Sequence, residues 1–380
     1  MTDEKPRARN LGIPFEGTPG PMNAISDVPG VEVGHTTLVH GSGKLVVGEG
    51  PVRTGVTAIL PRGRKSMDAV FAAWFSQNGN GEMTGTTWIE DSGQMSGPVM
   101  ITNTHSVGVV RDAVIAWGLN QTSLAHHVDS DAWWGLPVVG ETWDGWLNDL
   151  NGFHVKPEHA FDALDNATSN AVTEGNVGGG TGMICYEFKG GIGTSSRIVT
   201  FGKRACTLAV LVQTNFGWRS QLTIAGVPVG REIPEDPAYD AAISDGPERD
   251  VGSIIAIVAT DAPVLPHQLK RIARRVSMGV ARTGGIASDS SGDIFLAFST
   301  AADLASNSDE AGRVEILPNA WMTRLFEATV QAAEESIINA LVAAETMTGI
   351  NDRTVHALPH ERLQEVLRTY NRLDCSECDD

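Results

Sequence analysis

The stretch Asp250-Val-Gly-Ser-Ile-Ile-Ala-Ile-Val-Ala-Thr260 joins a Gly-Ser pair to a run of β-branched and small apolar residues. Such a run is typical of a buried strand, and a glycine is common at the boundary between a loop and a strand. If the Gly252–Ser253 bond were cut, Ser253 would carry a hydroxyl and a free amine on one residue. That pairing is one known way to activate a hydroxyl nucleophile. From this stretch alone, a loop that ends where a strand begins is the simpler interpretation.

The composition is that of a folded, acidic chain. Of 380 residues, 41% are hydrophobic and 19% are charged, which is typical of one large or two ordinary globular domains. The net charge of −18 argues against nucleic acid or an anionic membrane as a partner. No apolar run approaches the ~18 residues that span a bilayer, and the first residues contain no apolar signal segment. We therefore expect a cytoplasmic protein.

The four cysteines give only a weak metal signal. Cys185 and Cys206 lie in apolar, strand-like segments, and we expect them to be reduced core residues. Cys375 and Cys378 form one Cys-x-x-Cys in an acidic tail, without a second pair or a nearby histidine. The sequence therefore predicts no metal site.

Strand and helix patterns alternate irregularly along the chain, which favours helices covering a pair of sheets over a nucleotide-binding or barrel fold. We predict strands at 52–60, 205–212, 254–259 and 294–299 and helices at about 109–119, 266–280 and 319–345. Residues 231–250 contain three prolines and seven acidic residues and are expected to form an exposed, mobile connection.

The common hydrolase and nucleotide motifs do not occur. The glycine run Gly178-Gly-Gly-Thr-Gly182 lacks the Gly-Lys-Ser/Thr of a phosphate loop. Neither a metalloprotease His-Glu-x-x-His nor a Gly-x-Ser-x-Gly elbow is present. Their absence increases the weight of the Gly252–Ser253 junction as a candidate site.

Several blocks, in the right order, resemble the DmpA/BapA family of L-aminopeptidase/D-esterases and β-peptidyl aminopeptidases. The resemblance spans roughly residues 10–350. Its blocks are Asn23-Ala-Ile-Ser-Asp-Val-Pro-Gly-Val-Glu-Val-Gly-His35, Thr102-Asn-Thr-His-Ser-Val-Gly108, Gly175-Asn-Val-Gly-Gly-Gly-Thr-Gly-Met-Ile-Cys185, Gly190-Gly-Ile-Gly-Thr-Ser-Ser-Arg197, Gly252-Ser-Ile-Ile-Ala-Ile-Val-Ala-Thr-Asp-Ala-Pro-Val-Leu-Pro-His-Gln-Leu-Lys-Arg271 and Ser291-Gly-Asp-Ile-Phe-Leu-Ala-Phe-Ser-Thr300.

The resemblance implies an α+β fold, a four-layer αββα sandwich of the DmpA/ornithine-acetyltransferase type, in one hydrolase domain. It also implies a precursor that cuts itself when the Ser253 hydroxyl attacks the Gly252 carbonyl. The products would be a large subunit, 1–252, and a small subunit, 253–380. The family implies short peptide, amide or ester substrates, no metal or organic cofactor, and a homo-oligomer, a tetramer of two-chain protomers.

The same resemblance assigns roles to individual residues. Ser253 would be the nucleophile, and Ser291 and Asp293 a hydrogen-bonded relay on one face of a strand; the family often has Glu in place of Asp293. The free α-amine of Ser253, with an ordinary pKa of ~7.7–8.0, is a competing base, and the sequence does not choose between them. Asn215 would donate to the oxyanion.

Two further residues concern the substrate. Glu141 matches the carboxylate that captures the substrate's free amine, and Trp143 stands where the family usually has Tyr. The Trp143 indole either donates in place of the tyrosine hydroxyl or fills the pocket and changes specificity. Two alternatives stay open: an acyltransferase of the ornithine-acetyltransferase type, against which the serine at 253 argues, and a binding protein that has lost catalysis.

Overall fold

Two β-sheets packed face to face form the centre of the molecule. The computed structural model describes residues 5–120, 134–239, 252–302, 304 and 313–373. The two-cysteine tail and most of the acidic connection lie outside these ranges. The strands are β1 (Glu32–His40), β2 (Val52–Leu60), β3 (Val70–Ser76), β4 (Gln94–Met95), β5 (Val99–Asn103), β6 (Val138–Thr142), β7 (Ile184–Cys185), β8 (Phe188–Lys189), β9 (Gly191–Phe201), β10 (Arg204–Asn215), β11 (Ser253–Thr260), β12 (Ile294–Ser299), β13 (Met347–Thr348) and β14 (Thr354–Val355).

Most of the helices pack against the outer faces of the sheets. They are α1 (Thr86–Ser92), α2 (Val107–Leu119), α3 (Pro157–Asp165), α4 (Val229–Glu232), α5 (Pro266–Ala273), α6 (Val276–Arg282), α7 (Met322–Ala343) and α8 (His360–Thr369). Within the described ranges, every helix is too short or too polar to cross a bilayer.

The smaller sheet has the order β1-β2-β5-β6, and the larger has the order β4-β3-β12-β11-β10-β9. Strands from both sides of the 252–253 bond share the larger sheet. In β11, Ile255 and Ile257 pack into the core between the sheets, whereas Ile254 and Val258 pack into the core beneath the helices. Both faces of β11 are therefore buried, which explains why its sequence is apolar throughout rather than alternating.

Three apolar cores separate four layers. One core lies between the sheets. A second joins the smaller sheet to α2 and α3, and a third joins the larger sheet to α5, α6 and α7. The predicted αββα sandwich is confirmed. Cys185 and Cys206 are buried thiols, as expected.

One predicted helix was wrong in its extent. The segment predicted as a single helix over 266–280 is two helices, α5 and α6, separated by a turn at Arg274 and Arg275. The apolar spacing continues across the turn, but the partners change: α5 packs against β3 and β12, whereas α6 packs against α7. Tertiary packing within the chain thus overrides the local apolar periodicity that predicted a single helix.

The acidic connection is anchored where it begins, contrary to the expectation that it is exposed throughout. The buried guanidinium of Arg219 donates to the carbonyl oxygens of Ile233 at 3.0 Å and Glu235 at 2.7 Å. It also donates to the Glu187 carbonyl at 2.7 Å, and Ile233 itself is buried. Arg219 therefore ties the start of this segment to the β7–β8 hairpin.

Candidate active site

Ser253 is the first residue of β11, at one end of the interval between the two sheets. Antiparallel pairing with β10 places it opposite Asn215. It has the same strand parity as Ile255 and Ile257, so its side chain faces the smaller sheet. The Gly292 N–H donates to the Ser253 Oγ at 3.0 Å. The hydroxyl is thus held by the backbone just before β12.

Ser291 and Asp293 form a buried hydrogen-bonded pair beside this hydroxyl. The Ser291 Oγ donates to the Asp293 Oδ1 at 2.6 Å, and the same oxygen accepts from the Ile254 N–H at 3.2 Å. Both residues precede β12, so the prediction that they share one face of a strand was wrong. A turn before the strand, rather than strand alternation, brings hydroxyl and carboxylate together.

A loop after β3 supports this pair, and sequence reasoning did not assign it a role. The Asn78 Oδ1 accepts from the Asp293 N–H at 2.7 Å, and the Asn80 N–H donates to the Ser291 carbonyl at 3.2 Å. Gly292 lies so close to this loop that a Cβ there would overlap the Asn80 carbonyl. The signal available in the sequence was an Asn-Gly-rich loop directly after a predicted strand.

The Asn215 amide has a fixed orientation. Its Oδ1 accepts from the Ile184 N–H at 2.9 Å, and its Nδ2 donates to the Trp143 carbonyl at 2.9 Å. A primary amide has two N–H donors, so one remains for another acceptor. The side chain is buried, and its residue lies directly opposite Ser253.

Gly252 is required by close packing. A Cβ at this position would overlap the Asn215 carbonyl oxygen and lie 2.7 Å from the Phe216 Cα. Because both obstacles are backbone, no small adjustment of a side chain relieves them. The glycine of the Gly-Ser pair therefore lets the chain run directly against the end of β10.

Glu141 lies near the end of β6 with a buried carboxylate. Its Oε1 accepts from the Glu82 N–H at 3.0 Å, and its Oε2 accepts from the Thr104 Oγ1 at 2.5 Å. Burial raises the pKa of Glu141, and the hydrogen bonds from Thr104 and Glu82 partly offset this. Among the described residues it forms no salt bridge. An incoming cation would therefore find an uncompensated carboxylate.

Trp143 contributes its backbone to the site. Its carbonyl holds Asn215, as described above, and its half-buried indole packs against Gly145, where a Cβ would lie 2.7 Å from the Nε1. The sequence analysis considered only the Trp143 indole. It did not predict the contact of the Trp143 carbonyl, because a backbone carbonyl is present whatever the residue type.

Comparison with known proteins decides the family. Residues 23–355 match the family model described as Peptidase family S58. This chain belongs to Peptidase family S58. The resemblance to the DmpA/BapA family is thereby confirmed, and the chain is a peptidase by membership.

Its relatives match over nearly the whole chain. A β-peptidyl aminopeptidase BapA from Sphingosinicella microcystinivorans is 54% identical over 97% of this chain and 94% of its own length. The structure of an L-aminopeptidase D-Ala-esterase/amidase from Ochrobactrum anthropi, described as a variant of the Ntn hydrolase fold, has a TM-score of 0.90 at 48% identity and covers 97% of this chain and 100% of its own. A Burkholderia sp. β-aminopeptidase has a TM-score of 0.85 at 44% identity, covering 96% and 99%.

Within this S58 member, the sequence-predicted residues gather at one end of the intersheet core. Ser253, Ser291 and Asp293 are joined through the Gly292 and Ile254 N–H groups. The loop after β3 lies between these three residues and Glu141. Gly81 of this loop is close to both sides, since a Cβ built on it would lie 3.0 Å from the Gly292 Cα and 3.4 Å from the Glu141 Oε1. One short loop therefore spans the distance between the hydroxyl group and the buried acid.

We expect Gly292→Ala to disturb this arrangement strongly. The new methyl group overlaps backbone atoms of the supporting loop, which costs about 1–3 kcal/mol of stability through overpacking. Displacement of the Gly292 N–H from Ser253 should lower peptidase activity on an aminoacyl anilide about 100-fold.

Gly108→Ala is the matched control, because a Cβ there meets nothing within 4 Å. If Gly292→Ala kept wild-type activity and melting temperature, the close packing of Gly292 against the loop after β3 would matter neither for catalysis nor for stability.

Proposed function

We propose that this chain is a serine aminopeptidase activated by its own cleavage between Gly252 and Ser253. It removes N-terminal residues, L-α or β, from short peptides, amides or esters through an acyl-enzyme on Ser253. The observation that carries the proposal is the buried hydroxyl at the start of β11, held at 3.0 Å by the Gly292 N–H beside the Ser291–Asp293 pair. The activities named for the relatives support the substrate class.

The activating step is an internal acyl transfer. The Ser253 Oγ attacks the Gly252 carbonyl carbon, the C–N bond breaks, and the Ser253 nitrogen leaves as an amine after taking up a proton. Water then hydrolyses the resulting ester, giving a carboxylate on Gly252 and restoring the hydroxyl. The absence of a side chain at 252 supports this step, because the carbonyl there has no Cβ to shield it.

Turnover repeats the same chemistry on a substrate. Ser253 attacks the carbonyl of the first residue, and the remaining N–H of Asn215 stabilises the oxyanion. The base is either the Ser253 α-amine or the Ser291–Asp293 pair. The Asp293 Oδ1 accepts from the N–H of Ile254, the residue that follows Ser253, and this contact supports a role for Asp293 with either base.

Glu141 is proposed to bind the substrate's protonated amine. A buried carboxylate without a salt bridge gains most when a cation enters, because the low local dielectric strengthens the charge-assisted hydrogen bond. This accounts for a requirement for a free N-terminus. Trp143 would form part of the same pocket, and its side chain would influence which first residue is accepted.

The mature protein is proposed to keep both subunits, 1–252 and 253–380, together and to form a homo-oligomer of such pairs, acting in the cytoplasm. Support for the pairing comes from the larger sheet, in which β10 and β11 belong to different subunits and yet form a continuous hydrogen-bonded ladder. No metal or organic cofactor takes part in the proposed reaction.

Ser253→Ala tests the cleavage. The purified wild-type chain should separate into two chains on a denaturing gel, whereas Ser253→Ala should stay as one chain and hydrolyse no L-alanyl or β-alanyl anilide. Ser220→Ala, an exposed serine, is the control and should behave as wild type. A Ser253→Ala protein that still splits would rule out this nucleophile. Release of amine from the anilide without an added acyl acceptor would establish hydrolysis over transfer.

Thr104→Val tests the amine site. Loss of the Thr104 hydroxyl removes a hydrogen bond that lowers the pKa of Glu141, so this pKa rises further. Because only the carboxylate pairs with an ammonium group, KM should increase as the pH falls through that pKa. The increase should begin at higher pH in the variant. At a pH where Glu141 is protonated in the variant but still ionised in the wild type, we expect KM about tenfold above wild type, equivalent to a charged hydrogen bond of ~1.5 kcal/mol.

Thr36→Val is the matched control, since the Thr36 hydroxyl has no hydrogen-bond partner in the described structure. An unchanged pH dependence of KM in Thr104→Val would contradict the role of Glu141 as the amine anchor.

A further inference from the structure

Lys189, at the end of β8, is a fully buried cation. Its Nζ donates to the carbonyl oxygens of Met183 at 2.6 Å and Gly190 at 2.9 Å, with the Gly180 carbonyl at 3.5 Å. No carboxylate among the described residues forms a salt bridge with it. An ammonium buried among backbone carbonyls is costly to keep, so its retention calls for a specific role.

The Met183 carbonyl connects Lys189 to the candidate oxyanion donor. Met183 C=O and Ile184 N–H belong to the same peptide unit, and that N–H donates to the Asn215 Oδ1 at 2.9 Å. The hydrogen bonds thus run from the Lys189 Nζ through the Met183–Ile184 peptide to the Asn215 amide, whose Nδ2 is the last donor in the series. A cation on the carbonyl polarises the peptide, which makes its N–H a stronger donor to Asn215.

We propose that Lys189 is a positioning residue that fixes and polarises the Asn215 amide through the Met183–Ile184 peptide. This inference rests on the proposed function, in which Asn215 stabilises the oxyanion. Held at its oxygen, the amide cannot exchange its oxygen and nitrogen, and its free N–H stays directed at the reacting carbonyl. Polarisation along the chain also makes that N–H a better donor in the transition state.

The charge on Lys189 gives the inference a pH signature. Burial lowers the pKa of Lys189 to about 7; Cys185 and Asp144 act to raise it, and Lys5 acts to lower it. Turnover should therefore fall as the pH rises through the Lys189 pKa and the ammonium is lost. Deprotonation of the Ser253 α-amine would act in the opposite direction, so the contribution of Lys189 is isolated by comparing the wild type with a variant that carries a permanent cation at this position.

The first test is Lys189→Met, which keeps the apolar stem and removes the ammonium. We expect kcat on L-alanyl anilide to fall about 10- to 100-fold, with KM little changed, because the affected contact forms in the transition state. Lys203→Met, which removes an exposed ammonium, is the control and should keep wild-type kcat. Wild-type kcat in a folded Lys189→Met enzyme would overturn the inference.

The second test asks whether Lys189 acts through Asn215. The double variant Lys189→Met, Asn215→Ala should have a kcat no lower than Asn215→Ala alone, because the charge then has no amide to direct. Additive losses would contradict the inference. Lys189→Arg keeps a permanent cation and should retain activity while losing the alkaline fall of kcat; a persistent alkaline fall would also contradict it, even if Lys189→Met fails to fold. A wild-type chain that neither splits nor hydrolyses the anilide would instead refute the proposed function itself.

Discussion

The backbone pairing of β11 with both of its neighbours is the constraint on which the site depends. The antiparallel ladder with β10 sets Ser253 opposite Asn215, and the parallel ladder with β12 brings the Gly292 N–H to the Ser253 Oγ. Strand residues alternate between faces, so a slip of one residue would turn Ser253 into the helix-side core. Both faces of β11 are packed in apolar cores, so such a slip would place mismatched side chains in each core, and the proposed nucleophile is thus positioned by register.

The same constraint would let the chain keep its fold after the proposed cut between Gly252 and Ser253. The 252–253 bond lies at the end of a strand, and the larger sheet contains β3, β4, β9 and β10 from before the bond and β11 and β12 from after it. All of the strand-to-strand hydrogen bonds are formed across the sheet and none depends on that peptide link. The apolar core between the sheets is likewise built from both segments.

Local pattern was sufficient for the elements that decide the fold. The apolar run after Gly252 predicted β11 almost to the residue, and the family resemblance identified Ser253, Ser291, Asp293 and Glu141 as residues that the structure gathers at one end of the sheets. The four layers also followed from the resemblance. The single helix predicted at 266–280 was wrong because its two halves pack against different elements.

The supporting contacts were beyond the reach of the sequence. Asn78 and Asp293 are 215 positions apart, and they meet only because β3 pairs with β12 in a particular register. The sequence analysis did not single out Lys189, because the role proposed for it depends on which carbonyl its ammonium group contacts in the fold. Contacts made by backbone groups, such as the Trp143 carbonyl on Asn215, are independent of residue type and so leave no pattern to read.

The most direct test of the central claim is the mass of the small chain during turnover. Wild-type enzyme would be mixed with a slowly hydrolysed aminoacyl ester, quenched in acid, and analysed by intact-mass and peptide mass spectrometry. The account predicts a chain that begins at Ser253 and carries one aminoacyl group on that residue. A chain that begins elsewhere, or an acyl group on any other residue, would contradict it.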